Sequence, residues 1–137
     1  MTEAFCPGHI TLFFSPRRTG DILRSGSVGA GLKTALGANV AVEERRDSRI
    51  SVSLDGADSD APVTAAAVAA LAPGRGFDIS IECGLPVSQG FGMSAAGTIA
   101  AGTCVCDIVG RDPYEAFPAA HIAEIENGGG LGDVAAI

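Results

Sequence analysis

Apolar and polar positions alternate most regularly over Phe77–Cys83 (FDISIEC), and a period of two over that length predicts a strand with one buried face. Val40–Val42 and Ile50–Leu54 (ISVSL) read as two further strands, with the charged run Glu43–Arg49 as a solvated hairpin end between them and Asp55–Asp60 as an acidic turn. Ala4–Phe14 (AFCPGHITLFF) predicts an opening hairpin: a short apolar strand is interrupted at Pro7-Gly8, and Ile10, Leu12 and Phe14 then alternate with His9, Thr11 and Phe13.

Three other stretches carry helical spacing. Thr64–Leu71 is rich in Ala and Val, with Pro62 placed for its first turn and Pro73-Gly74 beyond its end. Ser94–Val109 repeats Ala, Ile and Val at helical intervals. A last helix starts near Pro113 or Tyr114, capped by Asp112, and runs to about Glu126 before Gly128–Gly130 breaks it. Ser15–Leu32 is polar, holds Gly20, Gly26, Gly29 and Gly31 and has no period, which predicts a long functional loop. A length of 137 residues predicts that these strands and helices form one domain.

Composition narrows the picture. With 47% hydrophobic residues but only six Phe, one Tyr and no Trp, the core must be built from closely packed small aliphatics. A formal charge of -7, with no basic run beyond Arg45-Arg46, excludes a nucleic-acid-binding role. The longest apolar stretches are too short or too interrupted for a bilayer, so no membrane partner is expected and a cytoplasmic protein is. Cys6, Cys83, Cys104 and Cys106 lack metal-ligand spacing and read as reduced, buried thiols.

Chemistry concentrates where the Phe77–Cys83 strand meets the following helix. In Pro86–Ala96 (PVSQGFGMSAA), Gly90 and Gly92 let the backbone approach a ligand, and Ser94 falls in the first helical turn, where unpaired N–H groups and the helix dipole favour a phosphate. A tight strand-to-helix connection is the plain alternative. No Lys follows these glycines, so the Walker pattern is absent. Gly26, Gly29 and Gly31 (GSVGAG) do not make a dinucleotide fingerprint either, because their order is G-x-x-G-x-G; they form a surface loop or hold a substrate through Ser27. On the last helix His121 and Glu124 share a face, whereas Glu126 is turned by roughly 200°. Asp133 follows in N-G-G-G-L-G-D, whose glycines allow a carboxylate to approach a reacting hydroxyl closely; solvated surface charge is the alternative for all three acids.

Pro86, Gly90, Phe91, Gly92, Met93, Ser94, Ala95 and Ala96 match in order the pattern P-x-x-x-G-[LF]-G-[SM]-S-[AS]-[AS], and the chain therefore resembles the GHMP kinases. Cys6-Pro7-Gly8-His9, with Phe13 or Phe14, resembles that family's first motif. PGHITLFF, GSVGAG, PVSQGFGMSAAG and AHIAEIENGGGLGDVAA, taken in order, resemble its archaeal pantoate kinase branch. The resemblance implies a fold like ribosomal protein S5 domain 2, an α/β arrangement of a mixed sheet packed with helices, and a phosphotransferase that uses ATP and Mg²⁺ to convert pantoate to 4-phosphopantoate on the way to coenzyme A; the strands and helices read above are compatible with that fold. It implies that Pro86–Ala96 binds the phosphates, that Ser94 and Glu124 hold the metal with Glu126 as fallback, and that Asp133 is catalytic. His9, Ser27 and His121 would contact the substrate. The family is about twice as long, so residues 1–137 correspond to an ATP-binding N-terminal domain without the ferredoxin-like second domain. That missing cover leaves room for a homodimer. The alternatives are a non-catalytic nucleotide- or acid-binding module on the same scaffold, or a kinase of mevalonate or homoserine.

Overall fold

The structure is a computed structural model that describes all of residues 1–137. Five strands form one mixed sheet in the order β1-β2-β5-β3-β4, where β1 is Thr2–Arg17, β2 Gly26–Arg45, β3 Ile50–Leu54, β4 Ala57–Ser59 and β5 Gly76–Cys83. All pairings are antiparallel except β3 with β5. The expected mixed α/β architecture is present. The alternation in β5 places Phe77, Ile79 and Ile81 inward and leaves Asp78, Ser80 and Glu82 exposed.

Helices cover only that inward face. They are α1 (Pro62–Leu71), α2 (Met93–Val109), α3 (Ala116–Glu126) and the short α4 (Asp133–Ala136). No helix is long and apolar enough to cross a membrane. α2 lies between the sheet and the α1/α3 layer, so 12 of its 17 residues are buried. Such double-sided burial needs small side chains, and Ala95, Ala96, Ala100, Ala101, Cys104 and Cys106 supply them. Thr98 is satisfied there by a 2.9 Å hydroxyl pair with Thr64 of α1. Cys6, Cys104 and Cys106 are buried and Cys83 half-buried, all as free thiols; burial pushes Cys6 and Cys104 up to about 11.

Several sequence expectations change in the first third of the chain. There is no opening hairpin within Ala4–Phe14; β1 is one strand whose ladder with β2 is interrupted by register shifts between Pro7 and His9 and between Thr11 and Phe13. Bulges absorb the Pro-Gly step without reversing the chain. Ser15–Leu32 is not a long loop, since β1 runs to Arg17, a 3-10 turn occupies Ile22–Arg24 and β2 resumes at Gly26. Glu43–Arg49 is not a hairpin end, because β5 inserts between β2 and β3. Asp55–Asp60 contains β4 as well as a turn. The last helix begins as a 3-10 turn at Pro113–Glu115, where the Tyr114 N–H donates to Asp112 at 3.0 Å, and becomes α-helical at Ala116.

Candidate active site

Residues 84–92 leave the end of β5 as an exposed loop that passes through left-handed conformations at Ser88, Gly90 and Gly92 before α2 begins. Gly92 is the helix N-cap and offers no side chain, so the first N–H groups of α2 have no capping partner. Gly92 also needs to be glycine: its φ is +66°, and a Cβ there would stand 2.5 Å from His9 Nδ1. Met93, Ala95 and Ala96 are buried in the core, so what they offer the loop is backbone. Ser94 is the exposed side chain of that first turn.

The Ser94 hydroxyl donates to Glu124 Oε1 at 2.9 Å, and the Gly130 N–H donates to Glu124 Oε2 at 3.0 Å. Glu124 is 2% exposed, and burial raises its pKa above the ordinary carboxyl value against the lowering effect of those two hydrogen bonds. One turn of helix separates Glu124 from the glycine run that bends back over it, which is how a helix C-terminus and the next loop converge on one carboxylate.

Asp133 opens α4 and sends Oδ1 to 3.4 Å from His9 Nε2. That nitrogen is also 3.2 Å from Thr11 Oγ1. His9 is 3% exposed, its backbone N–H donates to the Phe91 carbonyl at 3.0 Å, and its ring Nδ1 has no hydrogen-bond partner. A cleft of about 520 Å³ opens beside this group, lined by His9, Thr11, Ser27 and Asp133 among others. A second hollow, of about 410 Å³, lies between the start of α1 and the glycine loop, lined by Pro62, Ile81, Val87, Met93 and Ser94 among others.

Of the residues singled out in sequence, Ser94 and Glu124 are brought into contact, and His9, Ser27 and Asp133 are brought to one cleft. Pro86, Gly90 and Phe91 belong to the connecting loop. His121 is not brought to the cleft: its Nε2–H donates to the Ser25 carbonyl at 2.7 Å and braces the start of β2. Glu126 is exposed and apart from both groups. Thr11, Arg18 and Lys33 line the cleft without having been singled out. The sequence signal for Lys33 was its place on a strand opposite His9, hidden because Ser15–Leu32 just before it read as a loop and no strand was read through Lys33.

A mixed sheet covered on one face, a glycine loop feeding an uncapped helix and a buried glutamate against Ser94 fit the GHMP fold. The model of the GHMP kinases N terminal domain matches residues 61–137, which include α1, the glycine loop, Glu124 and Asp133, and the chain belongs to this family. It is 34% identical to a pantoate kinase of Methanospirillum hungatei over 97% of this chain and 48% of that one. It is 33% identical to a pantoate kinase of Thermococcus kodakarensis over 98% of this chain and 48% of the relative. The chain thus spans about half the length of the curated relatives it matches. Among solved structures, a phosphotransferase related to the CoA biosynthesis pathway superposes with a TM-score of 0.91 at 31% identity, covering 98% of this chain and 48% of that one. A mevalonate kinase shares the fold, with a TM-score of 0.69 at 18% identity over 100% of this chain and 51% of its own.

Proposed function

We propose that residues 1–137 form the ATP-binding part of a kinase that phosphorylates a small hydroxy acid, with pantoate as acceptor and 4-phosphopantoate as product in coenzyme A biosynthesis. The observation that carries this reading is the 2.9 Å contact between Ser94, at the uncapped start of α2, and the buried Glu124. Its acceptor rests on the pantoate kinase relatives, which cover nearly the whole chain.

The phosphates of ATP would lie against the free N–H groups of α2, where the helix dipole is positive. The apolar walls of the hollow beside Pro62 and Val87 suit a base ring. Ser94 and Glu124 would hold Mg²⁺, and the fit is chemical: one hydroxyl and one carboxylate leave the other positions to phosphate oxygens and water, the arrangement this ion favours. Bound there, Mg²⁺ neutralises charge on the phosphates. No group of three or more His, Cys, Asp or Glu side chains gathers into an all-protein cage.

In the transfer, the acceptor hydroxyl oxygen forms a bond to the γ-phosphorus while the bond from that phosphorus to the β,γ-bridging oxygen breaks. The bridging electron pair leaves with ADP, and the hydroxyl proton passes to the Asp133 carboxylate. His9, whose ring meets Thr11, would hold the orientation of Asp133. A nucleotide- or acid-binding module without turnover, on the same scaffold, is the second reading.

Isothermal titration with MgATP, run beside a pantoate-dependent ADP-release assay, separates these readings. Ser94→Ala is expected to weaken MgATP binding at least tenfold, the loss of one charge-assisted contact. Asp133→Ala is expected to bind MgATP as the parent does and to lose ADP release by roughly a hundredfold or more. Saturable MgATP binding unaffected by Ser94→Ala would sink the assignment of the phosphate site.

A further inference from the structure

Lys33 is the only lysine in the chain. It pairs directly with His9 in the β1–β2 ladder. Directly paired residues of antiparallel strands send their side chains to the same face, so Lys33 shares the face of His9 and lines the same cleft. Arg18, the first residue after β1, lines it too.

Neither cation is spent on a protein carboxylate. Arg45, Arg75 and Arg111 each hold one or more acids, whereas Arg18 and Lys33 form no ion pair, although the chain carries 16 acidic residues. The single acid in the cleft wall is Asp133. Two uncommitted cations and one carboxylate in the same cleft make its field discriminating: an anionic group is attracted to Arg18 and Lys33 and repelled by Asp133.

We infer that Lys33 and Arg18 form a carboxylate clamp that selects anionic hydroxy acids, holding the acid group away from Asp133 so that the hydroxyl is what reaches it. This rests on the reading of the cleft as the acceptor site and adds the residues that fix the acceptor's charge and orientation. Arg18 offers a planar fork and Lys33 a point charge, a pairing suited to a carboxylate.

The test is calorimetric binding of pantoate, its uncharged lactone and mevalonate to the protein and to Lys33→Gln, Arg18→Gln and the double variant, with Lys33→Arg as the conservative control. Each single Gln variant is expected to raise the pantoate Kd roughly tenfold or more, with substantial recovery in Lys33→Arg. The lactone, which lacks a free carboxylate, is expected to bind weakly to every variant. Hydroxy-acid affinities within twofold of the parent in the double variant would overturn the clamp, as would a parent protein that binds the lactone as well as pantoate or binds none of these acids. Mevalonate binding that depends on Lys33, without pantoate binding, would keep the clamp and remove pantoate as acceptor. Pantoate binding indifferent to both cations would do the reverse.

Discussion

Glu124 is a carboxyl group held at 2% exposure on a helix that ends two residues later. Its raised pKa comes first from that burial, so it keeps a proton in the folded chain at pH values where the unfolded chain has lost it. The stabilising linkage is therefore fully present below the ordinary value of 4.5 and is lost as pH rises through the raised native value. Urea unfolding across pH 4–8 is expected to show Glu124→Gln gaining stability relative to the parent as pH increases. A constant difference between the two would mean that Glu124 ionises alike in both states. Added Mg²⁺ is expected to reverse part of the trend in the parent alone, because a cation favours the ionised carboxylate.

Among the elements, α2 carries the core and anchors the glycine loop at once. Ile99 is 3% exposed in its middle, and Ile99→Ala is expected to cost about 2–4 kcal/mol, measured as a lowered denaturant midpoint at unchanged slope. What was legible in sequence at this scale was local. Pro62 marked α1, FDISIEC marked β5 and the Ala-rich spacing marked α2, each by a signal within its own residues. The β1–β2 ribbon was not legible. Its pairing reaches from Thr2 with Val42 to Arg17 with Gly26, a ladder held by hydrogen bonds between distant residues, while glycines and bulges erase the alternation along each strand. The site divides the same way. Ser94, Glu124 and Asp133 stand in short glycine-framed segments that can be read singly, but Lys33 gains its meaning only from facing His9, and the contact of His121 with the Ser25 carbonyl joins residues far apart in the chain.

At the scale of the whole molecule, the sheet has helices on one side, and the β1–β2 ribbon exposes apolar side chains. Leu12, Phe14, Val28, Leu32 and Leu36 are all more than half exposed, and β1 is an edge strand 16 residues long. Unprotected edges and contiguous apolar patches drive association. The isolated chain is expected to self-associate, with its weight-average mass in sedimentation rising with concentration, and Leu12→Lys with Leu36→Lys is expected to suppress that rise. Concentration-independent monomer in the parent would show that the ribbon is tolerated in water.

The contacts of the site close on themselves. Ser94 touches Glu124, Glu124 receives Gly130, Asp133 follows three residues on and meets His9, and His9 returns to Phe91 on the loop that leads back to Ser94. A ligand that pulls on Ser94 from the hollow beside α1 is therefore expected to be felt, through these contacts, at Asp133 in the other cleft. Such a linkage would be symmetrical: whatever factor the first guest adds to the affinity of the second, the second must return to the first.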